Sequence, residues 1–335
     1  MPVAFTNVDA VSYEWIAGAS RNLRQQTLVG ASHLQGLLSH DLTAIEFRRT
    51  DANEVYAGGA ATMSVVLSTS PHDPLTCSDV YAQNVGTNAV SVFTGPVALP
   101  TSPATTGSPI PWVPSNIVRI AFSQPFHYSG GTLCVDITGT RMIGQEANWW
   151  MADAVFENVA GTTAEIGTGC GAYGGPQGQW SNVAARSLVP GGHGRLFAYG
   201  PPYSVSFVVF GAPSPTPIPL ATFGIPTPNC YCHLQPGTIV GSVVVPFVPE
   251  LVPAVQYRGG VADFRLYLPN QSWMFGVQLT TQWFELSQMA TSNAITWTVA
   301  GAMPTLDMAL IEGDPGDATG EVSVHLAHVL RLEYR

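Results

Sequence analysis

Lysine is absent from this 335-residue chain: all 12 basic residues are arginine, and only 10% of residues are charged, against about 25% in an ordinary globular protein. With 22 acidic residues the formal charge is −10. That balance excludes several partner classes. Phosphate backbones are held by clustered Lys and Arg, and here the arginines are scattered along an acidic chain, so neither nucleic acid nor another polyanion is expected as a partner. Lysine Schiff-base and general-base chemistry are excluded outright. No apolar run approaches the roughly 18 residues of a transmembrane helix, so no membrane span is expected. HExxH, the P-loop and a GxGxxG in βαβ context are all missing, which leaves metalloprotease, NTPase and dinucleotide readings without a motif. The nearest string to a nucleophile elbow, Gly30-Ala31-Ser32-His33-Leu34, lacks the second glycine.

Cysteine is sparse as well. Cys77, Cys134, Cys170, Cys230 and Cys232 include no CxxC pair, so a zinc ribbon or a thioredoxin-type site is not indicated. Disulfides fit better. Cys77 with Cys134 would staple neighbouring strands, and Cys170 would pair with Cys230 or Cys232, leaving one of these two free. The alternative is five buried thiols. Met1 to Ala10 carry neither a basic nor an apolar leader region, so no signal peptide is visible. Low charge, Thr/Ser/Gly/Pro richness and disulfides favour a mature secreted, extracellular chain.

What the chain does have is punctuation and alternation. It carries 34 glycines and 27 prolines, a density that disfavours helices. Met63, Val65 and Leu67; Val118, Ile120 and Phe122; Leu133, Val135 and Ile137; and Ile295, Trp297 and Val299 alternate with other residues in the period of a strand. Helical spacing is confined to short pieces such as Ser32 to Leu38 and Ser78 to Gln83. The expectation is an all-β protein of two β-sandwich domains, jelly-roll or immunoglobulin-like. The stretch 212–229, APSPTPIPLATFGIPTPN, reads as a Pro-rich linker between domains 1–211 and 230–335, or alternatively as a Pro-rich edge strand.

Several strings resemble a known family. Cys230-Tyr231-Cys232-His233-Leu234, Gln282-Trp283, Ser292-Asn293-Ala294 before Thr296 to Val299, and the last strand Val329 to Tyr334 are similar to the C-terminal domain of secreted proteins abundant in high-GC environmental bacteria. Gly30 to Leu34, Ile45-Glu46-Phe47-Arg48-Arg49, Gly130 to Asp136 and Trp149 to Asp153 resemble the domain that partners it. The resemblance implies secretion and β-sandwich domains, and assigns no catalytic residue.

Candidate chemistry is thinly spread. If Glu321 to Tyr334 is one strand, His328 shares a face with Leu330, Leu332 and Tyr334 while His325 points the other way, which separates the two as metal ligands. His33 and His40, with Asp41, span a short helix and turn that could bring them together. His193 lies in a Gly-rich loop as a candidate general base, and His72 beside Asp73 reads as a turn. Glu312, Asp314, Asp317 and Glu321 crowd a segment between two strands, where structural calcium could bind or a solvated hairpin tip could lie. Trp149, Trp150, Tyr173 and Trp180 surround a Gly-rich stretch with nearby amides and acids, the combination that sugar rings need. Consecutive tryptophans on a strand face opposite ways, so one of Trp149 and Trp150 belongs to the core.

The expected function is a non-catalytic extracellular surface or matrix component, binding a polysaccharide or cell-surface glycan or self-associating through strand edges. The alternative is a glycoside hydrolase or lyase on a jelly-roll scaffold. Hydrolysis would need paired carboxylates about 5–9.5 Å apart, with Asp136, Asp153, Glu157 and Glu165 as the first candidates.

Overall fold

The computed structural model describes residues 5, 7–19, 21–51, 53–105, 109–142, 144, 150–170, 181–183, 188–249 and 260–335. The fold is all-β and sandwich-like, and every strand pairing among the described residues is antiparallel. It separates into two compact units, Met1–Asn158 with Pro304–Arg335, and Val159–Met303. The second unit is therefore an insertion within the first. The division expected at 212–229 is replaced by two crossings, at 158/159 and 303/304.

In the first unit a six-stranded sheet runs in the order Glu321–Ser323, Met308–Gly313, Leu23–Val29, Thr132–Arg141, Gly59–Ser70 and Val90–Leu99. A three-stranded sheet orders Leu330–Tyr334, His40–Arg48 and Ile117–Tyr128, and another orders Ser12–Trp15, Met151–Phe156 and Leu326–His328. Alternation decides what is buried. Met63, Val65, Leu67, Leu133, Val135 and Ile137 from one sheet and Leu42, Ile45, Val118 and Ile120 from another meet in a single apolar cluster. At about 1.5–3 kcal/mol for each large side chain taken out of water, this cluster is the main stabilising term of the unit.

The second unit has a five-stranded sheet, Gly241–Pro246, Val205–Gly211, Gln278–Glu285, Ala290–Thr298 and Thr162–Ile166, and a four-stranded sheet, Ser181–Val183, His193–Gly200, Gly260–Tyr267 and Val248–Pro249. His193 thus opens a strand instead of lying in a loop. The Pro-rich stretch is not a linker between domains: Pro213–Pro219 is a strand paired with Tyr231–Leu234, followed by the short helix Leu220–Phe223, all inside this unit. Its prolines stand at every second position, 213, 215, 217 and 219. Alternate backbone groups of a strand face the same side, so one side lacks every donor while the other keeps its amides for pairing. That is how proline is tolerated on an edge.

The C-terminal run is also divided. Glu321–Ser323, Leu326–His328 and Leu330–Tyr334 are three strands in three different sheets, so the single-strand reading of Glu321 to Tyr334 does not hold. The breaks at 324–325 and 329 rotate the chain, and His325 and His328 are both buried. The His325 ring meets the edge of Phe156 at 5.1 Å. His328 Nε2 donates to the Trp15 carbonyl at 3.1 Å, and its ring meets Phe47 edge-on at 5.3 Å.

Desolvation lowers the pKa of His328 to about 4 from 6.5. A histidine held neutral in the fold takes its proton in the unfolded chain first, so its contribution is complete above about pH 6.5 and is lost as pH falls toward 4. The loss amounts to about 3 kcal/mol. Denaturant titrations from pH 7 to pH 4 are expected to record this loss relative to a His328→Gln variant, which keeps a donor for Trp15. A parallel pH dependence in the two proteins would contradict it.

Candidate functional sites

Of the four acids singled out as hydrolytic candidates, Asp136, Asp153 and Glu157 belong to the first unit and Glu165 to the second. Asp136, in Thr132–Arg141, accepts from Arg24 Nε at 3.1 Å and Nη2 at 2.6 Å, and from Gln26 Nε2 at 2.8 Å. Gln26 in turn donates to the Tyr81 carbonyl and accepts from Asn84, which fastens the helix Tyr81–Asn84 to the sheet. The bond to Asp136 holds the Arg24 pKa above its ordinary value. Asp153 belongs to a different sheet. It is wholly buried against the wholly buried Arg48 and accepts from the Ala10 amide at 3.0 Å. Burial pushes its carboxyl pKa up, while Arg48 and the Ala10 amide pull it back. Glu165 lies in the edge strand Thr162–Ile166 of the second unit.

Glu157 has a precise structural task. Its Oε2 accepts from the amides of Thr305 and Leu306 at 2.6 and 2.8 Å, and its Oε1 from the Thr305 hydroxyl at 2.7 Å. Glu157 precedes the exit to the inserted unit and Thr305 follows the return, so one carboxylate ties both sides of the insertion. The Gly30 to Leu34 string serves the same place. His33 Nε2 donates to the Leu306 carbonyl at 2.7 Å, the Ser32 hydroxyl bonds the Asp307 carboxylate, and the Gly30 amide bonds the Asp307 carbonyl at 2.9 Å. A Cβ on Gly30 would lie 2.1 Å from the Asp307 carboxylate. A larger residue at this position would have to displace that carboxylate from its bond to Ser32.

The histidine–acid site of His33, His40 and Asp41 is not assembled. His33 is engaged with Leu306, His40 packs on the Tyr334 ring at 4.7 Å, and Asp41 bonds the ring of His127 at 3.0 Å. Asp73 accepts from Thr132 at 3.3 Å and begins a turn. In the acidic segment, Glu312 and Glu321 stand opposite each other on paired strands, and Asp314 and Asp317 form an exposed turn with a 3.1 Å backbone bond. Glu312 bonds Gln25 and Arg21 at 3.4 and 3.5 Å. Among the described residues no group of three or more His, Cys, Asp and Glu is placed to hold a metal.

Of the aromatic set, Trp149, Tyr173 and Trp180 lie outside the described residues. Trp150 is wholly buried, meets the Tyr56 ring edge-on at 5.5 Å and donates its indole N–H to the Pro100 carbonyl at 3.3 Å. It is a core residue with no face for a sugar.

Cys170 and Cys230 form a disulfide across 60 residues, a closure worth about 4 kcal/mol in the chain-entropy account. Cys77 and Cys134, expected to be bonded, are buried free thiols. Cys77 follows a short 3-10 turn, whereas the strand bearing Cys134 has only Leu23–Val29 and Gly59–Ser70 as neighbours, so the two do not sit on adjacent strands. Burial raises the Cys77 thiol pKa to about 12 and that of Cys134 as well, which suppresses the reactive thiolates. Cys232 is a buried free thiol bonded to the Leu234 carbonyl at 3.4 Å. Around the disulfide, Gln282 accepts from the His233 amide at 2.8 Å and donates to the carbonyls of Tyr231 and Ser292 at 2.9 Å. Ser292 Oγ accepts from the Trp283 amide, and Asn293 holds Ser181 at 3.0 Å. The Gln-Trp and Ser-Asn-Ala strings thus encode a buried seam between strands.

Two clusters escaped the sequence reading. Arg48 and Arg49 are both fully buried. Arg48 holds the Val8 and Ile110 carbonyls besides Asp153, and Arg49 holds Ser102 and the Glu54 carbonyl and lies 4.0 Å from the Tyr56 ring centroid. Glu46 is flanked by Arg331 and Arg119, and Arg119 also pairs with Glu333 at 2.7 Å. The Arg-Arg doublet in a strand of an arginine-poor chain was the available signal.

No family model and no curated protein matches the chain. Among solved structures it is similar to a chain in the cryo-EM structure of the T=1 Penaeus vannamei nodavirus, at 12% identity over 88% of this chain and 96% of that one, with a TM-score of 0.15. That score carries no statement about a shared fold.

Replacing Glu157 by glutamine removes the charge that three donors share, and is expected to cost about 1–2 kcal/mol, a fall of a few degrees in Tm for a unit of this size. An unchanged Tm in scanning calorimetry would contradict the clamp.

Proposed function

We propose that this protein is a non-catalytic extracellular component, a structural element of a surface or matrix. The observation that carries the reading is the use of its carboxylates. Asp136, Asp153 and Glu157 each accept hydrogen bonds from groups that belong to other segments of the fold, so the acids most suited to hydrolysis are consumed in holding strands. The disulfide Cys170–Cys230 supports an oxidising compartment. The resemblance to secreted bacterial proteins agrees with this. A glycan-binding role rests on Trp149, Tyr173 and Trp180 without Trp150.

A panel of insoluble and soluble polysaccharides, scored for both retention and product release, tests the reading. No released sugar is expected from any substrate. Product release that is abolished by Asp136→Asn or Glu157→Gln in a folded variant would overturn it.

A further inference from the structure

The open edge of the five-stranded sheet in the second unit is unlike the other edges. Between Arg195 and Glu250 lie 54 consecutive residues with no Asp, Glu, Lys or Arg. The edge strand Gly241–Pro246 lies in this stretch. It pairs with Val205–Gly211 on one side and with no strand on the other among the described residues. Its Val243 and Val245 face the core, whereas Val244 is 68% exposed and Val240, just before it, 74%. Exposed strand edges are normally blunted by charge, proline, short length or a cover. The opposite edge of the same sheet carries Glu165, and the strand Pro213–Pro219 has a donor-free side. Ser181–Val183 has three residues and Val248–Pro249 two, and the long edge Val90–Leu99 is covered by hydrogen bonds from Ser123 and Gln124 to its carbonyls. Among the described residues, Gly241–Pro246 has none of these devices until its terminal proline.

A second observation marks the same corner. Tyr203 is 83% exposed and has a φ of +66°, a backbone conformation that a bulky residue adopts only when its surroundings impose it. The imposing bonds run to the segment that follows the edge strand: the Tyr203 amide donates to the Phe247 carbonyl and the Phe247 amide to the Ser204 carbonyl, both at 2.9 Å. An aromatic ring is thus held out into water beside an uncharged, valine-rich edge.

We infer that this edge is a self-association site, in which Gly241–Pro246 pairs antiparallel with the same strand of a second copy of the chain. Two identical antiparallel edge strands satisfy each other's backbone groups about a two-fold axis, the isologous contact of most homodimers. Such pairing joins two five-stranded sheets into one, with Val244 and Val240 of each copy at the seam and Tyr203 one strand in from it. Charge selects the same place. Each copy carries −10, so approach through most faces is opposed by like charge, and the charge-free stretch removes that opposition locally. The proposal names the partner within the structural reading above and rests on that reading for its biological sense.

Sedimentation equilibrium of the full chain is the test, with the Val244→Lys variant and a control, Thr163→Lys, on the opposite edge of the sheet. Wild type is expected to move with concentration from 35.5 kDa toward twice that mass, more readily as salt screens the net charge. Val244→Lys, with an unchanged circular dichroism spectrum and Tm, is expected to weaken dimerisation roughly tenfold or more, and Thr163→Lys to leave it unchanged. A wild-type monomer at all concentrations, or a dimer indifferent to Val244→Lys, would overturn the interface. Neither result bears on product release, so failure of the interface and failure of the non-catalytic reading are read from separate experiments.

Discussion

The arrangement of segments in the first unit is tied together by an ion pair with no access to water. Arg48 and Asp153 are both fully buried, and each group taken alone would carry a desolvation penalty of several kcal/mol. The fold meets that penalty by surrounding the pair with hydrogen bonds. Arg48 reaches the carbonyls of Val8 and Ile110, Asp153 receives the Ala10 amide, and Asp9 receives the Ile110 amide at 2.9 Å. The N-terminal segment, the loop around Ile110 and two sheets are thereby fixed to one another. A protein with few charges has placed several of them where they act as cross-links.

That use of charge recurs. Asp136 with Arg24 and Gln26 secures a helical turn, Glu157 with Thr305 and Leu306 closes the root of the insertion, and Glu46 lies between Arg331 and Arg119. In the second unit, where a long stretch lacks charge altogether, the disulfide and the Gln282–Ser292–Asn293 seam take over the role. Glu46, Arg48, Asp136, Asp153, Gln282, Ser292 and Asn293, each in a string singled out in the sequence, make these cross-links. They specify a scaffold.

The all-β architecture was legible because alternation is local. Met63, Val65 and Leu67 declare a buried face within five residues, and the structure buries all three. The division into units was not legible, because an insertion leaves no compositional mark at its two crossings, while proline at every second position of 213–219 looks like a connector unless the one-sided loss of donors is considered. The acids were visible, but their partners were not. Arg48 lies 105 residues from Asp153 and Arg24 lies 112 from Asp136, and no periodicity reports a contact at that range. Trp150 was legible as one of two consecutive tryptophans with opposite directions, and only the fold decided that it faces inward.

A double-mutant cycle on Arg48 and Asp153 tests most directly whether the charged residues serve as internal cross-links. Arg48→Met strips Asp153 of its buried partner and Asp153→Leu leaves Arg48 only Asp9 at 3.5 Å; each is expected to cost about 3–5 kcal/mol, while the double variant, in which the Arg48–Asp153 attraction is lost once and not twice, is expected to cost clearly less than the two together. Strictly additive losses, or single variants of unchanged stability, would contradict the account.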